Sequence, residues 1–333
     1  MKARAARFWI ATAVGTLAIA ACNRNAPRQG AERSTGRISD MALLSWRPDG
    51  RLVVARKDRV GGGDSWTGTC DSAGLYILAR SGQVEEWRTG ESLCGAIGAA
   101  SPSLSLSPDL TRLAYAHLWQ DGAIHMLDLS RLADTVLAER CLPYEGVPSW
   151  SPDGRRIAFA MGCSQPEKTA RLHVMELDRG RVRSLGEPRE GGADGTSSWA
   201  PDGAHLALDR GSPPWHSDVL VVDVRTGSRQ RLTSGFQPAW SPSGEWIAFE
   251  RWDSTGAAYP SVWVVRPDGR DERRLVGLTP VERVPAAGRV WTGPLVWSPD
   301  ATTLAVVRLS GVWTVRLDSP RLVPFVRVRS RSE

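Results

Sequence analysis

From residue 42 onward, apolar residues come in short runs that alternate with polar ones or run unbroken for four to eight positions. Each run stops at Pro, Gly, Asp or Ser, which is the spacing of strands and turns. The stretch "SWSPDGRRIAFA", Ser149 to Ala160, shows the unit: a tryptophan closes one run, Pro-Asp-Gly makes a tight turn, and a second run follows. Proline presets the first turn position, Asp tolerates the second, and Gly takes the position that needs a positive φ. The unit is written six times, the others being "SWRPDGRLVVA" at Ser45, "SLSPDLTRLAYA" at Ser105, "SWAPDGAHLALD" at Ser198, "AWSPSGEWIAFE" at Ala239 and "VWSPDATTLAVV" at Val296. Copies two and six carry Leu110 and Ala301 in place of the glycine, so their turns are expected to differ in detail.

The prolines fall at 48, 108, 152, 201, 242 and 299, spacings of 60, 44, 49, 41 and 57 residues. After each copy comes a second hairpin, as in "RLHVMELDRGRVRSL" and "DVLVVDVRTGSRQRL", turning at Gly180 and Gly227. Each unit therefore supplies four strands, a to d, and one such sheet cannot bury both faces alone. Repeats of this size predict an all-β fold, a six-bladed β-propeller with four antiparallel strands per blade over residues 42–328 and a tail at 329–333. The tryptophans at 46, 150, 199, 240 and 297 recur at one structural position and read as packing between blades.

The string W-S-P-D-G-x-x-I-A-F followed by a V-x-D…R-R-L hairpin resembles the repeat of TolB-type propellers and of the propeller domains of prolyl oligopeptidase-like peptidases. That resemblance implies the fold; it says little of function, because the matching residues are turn and core residues. TolB carries a further N-terminal α/β domain, for which this chain has neither room nor pattern. The peptidases need a Gly-x-Ser-x-Gly elbow, and here "GDSWTG" at Gly63 has Thr67 where the second glycine belongs.

The first 21 residues read as a processing signal. Lys2, Arg4 and Arg7 precede the apolar stretch Phe8 to Ala21, which is too short to span a bilayer comfortably. It ends "IAAC", resembling the lipobox of bacterial lipoproteins and marking Cys22 for lipidation. Residues 22–41 are then a polar, lipidated tether, and the protein is expected on the periplasmic side of the cell envelope, anchored to the inner or the outer membrane. Removing residues 1–21 leaves 39 basic against 36 acidic residues, so the sequence pI near 9.4 overstates the charge of the mature chain. With no run of five basic residues, a nucleic-acid partner is not expected.

Four further cysteines, Cys70, Cys94, Cys141 and Cys163, allow three pairings. The strand map favours Cys70–Cys94 and Cys141–Cys163, with buried free thiols as the alternative. No Cys-x-x-Cys or His-x-x-x-His spacing accompanies them, so neither a metal nor another cofactor is expected. His125, His173 and His205 sit in predicted strands in structural roles, and Glu85 and Glu86 alternate faces. No catalytic constellation is legible.

The b–c loops and d–a links leave from one end of the ring and include the longest insertions, at 57–73, 88–103, 186–197 and 279–294. Their aromatic and polar residues, Trp66, Trp119, Trp215, His216, Trp252, Asp253 and Tyr259, form a candidate binding face. The reading is a monomeric, non-catalytic interaction module for an envelope protein, peptide or glycan. Two alternatives stand beside it: a glycan lyase or hydrolase with acids and arginines converging near the axis, around Glu145, Asp194 and Arg289, or a small-ligand or metal-binding sensor.

Overall fold

The computed structural model describes residues 41–58, 72–89, 93, 104–116, 122–138, 142–143, 147–162, 170–186, 192–212, 216–252, 260–277, 294–308 and 311–327. The signal, the tether and Cys22 lie outside them.

Among the described residues, twenty-five strands form six sheets. Blade 1 holds β1 (Met41–Trp46), β2 (Leu52–Asp58), β3 (Ser72–Leu78) and β4 (Val84–Thr89). Blade 2 holds β5 (Leu104–Leu106), β6 (Arg112–Ala116), β7 (Ile124–Asp128) and β8 (Ala133–Ala138). Blade 3 holds β10 (Ser149–Trp150), β11 (Arg156–Gly162), β12 (Arg171–Glu176) and β13 (Arg181–Ser184); the two-residue β9 (Leu142–Pro143) also pairs with β11. Blade 4 holds β14 (Ala193–Trp199), β15 (His205–Ser212), β16 (His216–Asp223) and β17 (Arg229–Ser234). Blade 5 holds β18 (Phe236–Trp240), β19 (Ile247–Arg251), β20 (Ser261–Val265) and β21 (Arg273–Val276). Blade 6 holds β22 (Val296–Trp297), β23 (Thr303–Arg308), β24 (Gly311–Arg316) and β25 (Leu322–Arg327). Every pairing is antiparallel and every sheet runs in chain order, as expected.

The six first strands touch in sequence around the axis, β1 to β5, β5 to β10, and so on back from β22 to β1, so the ring is closed. Among the described residues no strand is shared across the closure. Instead Leu43, Val54 and Tyr76 of blade 1 pack against Ala305, Val312 and Phe325 of blade 6. Trp46 meets Phe325 edge-on at 5.6 Å and donates from Nε1 to the Val296 carbonyl at 3.0 Å.

The core is six seams, one between each pair of blades. Side chains on a strand alternate between faces, and here both faces are covered. In β11, Ile157, Phe159 and Met161 join Ala114, Ala116 and Ile124 of blade 2, while Ala158 faces Leu206, Leu208 and Val222 of blade 4. That is why the apolar runs are continuous where a half-exposed sheet would alternate. Within the seams the tryptophans also supply donors to the inner strand of the preceding blade: Trp150 to Ser105, Trp199 to Ser149, and Trp297 to Ala239.

The turns correct one expectation. Leu110 and Ala301 adopt φ of 61° and 56°, close to the 66° of Gly154, so copies two and six keep the same left-handed backbone without glycine. The local frame holds them there. Ser107 Oγ donates to Asp109 at 2.6 Å and accepts from Arg112 N at 2.9 Å, and Ser298 with Asp300 repeats the arrangement.

Candidate functional site

In each blade the a–b and c–d turns lie at one end of the ring, and the b–c and d–a connections leave from the other. Most of the expected binding face belongs to those connections. Trp66, Trp119, Trp215, Asp253 and Tyr259 lie outside the described residues, as do Cys70, Cys94, Cys141, Cys163, Glu145 and Arg289. His216 opens β16, its backbone opposite Ser212. Trp252 follows β19 directly and stacks on Phe236 at 6.4 Å with an interplanar angle of 18°. Thus Trp252 stands at the junction of blade and rim, one face of its ring already covered.

Asp194 is buried and committed to structure. It takes a two-pronged bond from Arg229, at 2.6 and 2.7 Å, and accepts from Leu172 N of blade 3 at 2.8 Å. Arg229 also reaches the Leu185 carbonyl, so the pair clamps blade 3 to blade 4. A carboxylate matched in this way to a guanidinium and an amide serves as a strut between blades.

The structure brings forward three buried charged residues at the same level of the ring. Asp209 in β15 is 2% exposed and accepts from Thr196 N and from Gln237 N, both at 2.7 Å, joining the inner strands of blades 4 and 5. Glu250 in β19 and Arg308 in β23 are buried 3.8 Å apart, and Arg308 donates to the Pro260 carbonyl of blade 5 at 3.3 Å. A signal for two of these exists in the repeat: Asp209 and Glu250 occupy one strand-b position where the other copies carry Ala55, Ala116, Ala160 and Val307. A charge at the end of a doubly buried run marks a polar seam.

The segment that Asp209 holds is unusual. Gln237 has φ of 50°, and among the described residues it is the one non-glycine with a left-handed backbone that lies within a strand; Leu110, Leu132, Asp271 and Ala301 sit in turns. Its Oε1 is buried without a hydrogen-bond partner, and so is Oγ of Ser217, a residue 7% exposed.

His125 and His173 serve the frame. His125 stacks on Tyr115 at 5.1 Å, and both bond Asp134, His125 Nδ1 at 2.8 Å and Tyr115 OH at 2.7 Å. Burial lowers the pKa of His173, which lies over Phe159. Glu85 and Glu86 diverge, to Arg51 and Thr89. Among the described residues no group of three or more His, Cys, Asp and Glu side chains could hold a metal.

The molecule is a six-bladed β-propeller of four-stranded blades. No family model matches the chain. A protein assigned as TolB from Agrobacterium tumefaciens superposes with a TM-score of 0.57 at 22% identity, over 78% of this chain and 87% of that one. An oligogalacturonate lyase from Vibrio parahaemolyticus gives 0.50 at 13% identity, over 84% and 93%. In sequence the chain is 26% identical over 214 residues to the uncharacterized peptidase YuxL of Bacillus subtilis, a match covering 61% of this chain and only 28% of that protein. The fold is therefore TolB-like, and neighbours with different names share it.

Proposed function

We propose that this chain is a non-catalytic interaction module of the bacterial cell envelope, anchored through a lipidated Cys22 and docking a protein, peptide or glycan on its b–c rim. One observation carries the reading: the buried acids toward the axis, Asp194, Asp209 and Glu250, are engaged by this chain's own amides and arginines. Carboxylates occupied as interblade struts are taken up by the fold and are not free to act on a substrate. The rim, with Trp252 at its inner margin, remains the surface for recognition, and the opposite end is a ring of tight turns. The two disulfides, Cys70–Cys94 and Cys141–Cys163, belong to this reading as staples of the rim.

Photo-crosslinkers placed at Tyr259 and His216 in the native envelope should capture a discrete partner, whereas one at Arg270, on the turn end, should not. Equal capture from both ends, or none from the rim, removes the proposal. Intact mass after alkylation without reductant tests the staples, since label on all four cysteines would contradict them. Cys22→Ala should release the chain from the membrane fraction.

A further inference from the structure

We propose that Gly235–Gln237, the entry to β18, is a two-state latch that couples the b–c connections of blades 4 and 5 to the start of the inner strand of blade 5; the coupling to a partner rests on the docking function proposed above. Three features load the closed state. The Gln237 backbone is left-handed inside a strand, and its carboxamide oxygen and the Ser217 hydroxyl are buried without partners. The Phe236–Ala239 stretch breaks register with β19, so the ladder does not hold it through its full length. A conformation carrying strain and unmet hydrogen bonds persists only where its surroundings impose it, and here the clamp is the Asp209 carboxylate on Gln237 N at 2.7 Å.

The latch has a handle on each side. Gly235 N donates to the carbonyl of Ser217 at 2.8 Å, two residues beyond the blade 4 b–c connection. Phe236 stacks on Trp252, the residue from which the blade 5 b–c connection leaves. Ser217 shares its strand face with Val219, which packs against Ile247 and Phe249 of blade 5, so the hydroxyl looks into the same seam that Asp209 and Gln237 bridge. A partner that pulls on either connection therefore acts on the strained turn directly. In the open state Gln237 swings its backbone into the common extended region and its carboxamide finds water. The corresponding bulge of blade 4, between Asp194 and Ser197, is also held by Asp209 but has no left-handed residue and no orphaned side chain, and it serves as an internal reference.

Amide hydrogen exchange on the full-length lipidated chain, with no partner added, tests this. Residues 235–237 should exchange about tenfold faster than 194–196, because opening is cheaper where the closed state is strained. Gln237→Gly removes both the strain and the orphaned amide and should slow 235–237 by about tenfold, while Ser217→Ala should slow it less. Trp252→Leu should change exchange at 235–237 and leave 194–196 alone. Equal exchange in the two bulges, unmoved by Gln237→Gly and Ser217→Ala, would make the segment a static strut and overturn the latch. Insensitivity to Trp252→Leu would overturn the coupling. Failure of docking would show in the envelope crosslinks and leave these rates as they are.

Discussion

The seam between blades 3 and 4 and the seam between blades 4 and 5 solve one packing problem in two ways. In the first, Arg156 lies 4.6 Å over the ring of Trp199 and donates to the Gly203 carbonyl at 2.9 Å; Arg112 does the same to Trp150 and Gly154 one seam earlier. In the second, the arginine position holds His205, which turns to its own Asp202 at 2.7 Å. Trp240 then donates to the carbonyl of its own turn, Gly244, at 3.3 Å, and the blades are joined by Asp209 on Gln237 N. One substitution at the start of strand b thus goes with the loss of the surface-side stack, while each seam keeps a buried carboxylate, Asp194 in the first and Asp209 in the second. The first seam adds a repeated, replaceable stack to its buried Asp194 clamp; the second does without the stack and is joined by Asp209 on Gln237 N, by Trp240 N on Ser198 Oγ and by Gly235 N on the Ser217 carbonyl.

That contrast can be broken from the heavy side first. Asp209→Ala leaves two buried amides without an acceptor and should cost about 3 kcal/mol in urea unfolding. Arg156→Ala should cost about 1.5 kcal/mol in the same measurement, since an exposed-edge stack, one carbonyl bond and a half-exposed ion pair with Asp153 are lost. The two losses should add, because the sites share no partner; strong coupling between them would mean that the seams are not independent. His205→Arg should transplant the first solution into the second seam, with the guanidinium over Trp240, and raise stability by about 0.7 kcal/mol. No gain, or a loss, would show that the Trp240 indole cannot give up its Gly244 bond. Ala301→Gly relieves a left-handed alanine at the expense of one buried methyl and should gain about 0.5 kcal/mol, read as a small rise in Tm.

The smallest effect concerns pH and separates the turn end from the seams. The Ser298 hydroxyl and the Thr302 amide hold Asp300 below the usual carboxylate range, and the Arg51 guanidinium draws Asp49 down to about 2. Depressed folded values give stability that is whole above the unfolded value, about 3.9, and is lost as pH falls through the folded one. Tm should therefore decline between about pH 4 and pH 2, and Asp300→Asn should flatten part of that decline.

Six turn signals, the tryptophan before five of the six prolines and the two-residue period were enough to read six four-stranded blades, because turn chemistry and strand alternation are local rules that act within ten residues. The same locality misled at Leu110 and Ala301. A missing glycine looked like a different turn, but the Ser–Asp hydrogen-bond frame holds the left-handed backbone regardless of the side chain. For the site, the sequence placed Trp252 at the rim and Asp194 near the axis. It could not say that Asp194 is neutralised by Arg229, which is 35 residues away and on the outer strand of the blade.

What the chain determined by itself is the wheel: its blade count, its turns and the faces that must be buried follow from patterns each repeat carries alone. Which polar groups meet, Asp209 with Gln237 across a seam or Trp46 with Val296 across the closure 250 residues apart, was decided only when the ring closed. The reason is physical: a buried donor or acceptor is stable only beside its partner, and that partner is set by the packing of neighbouring blades and not by spacing along the chain.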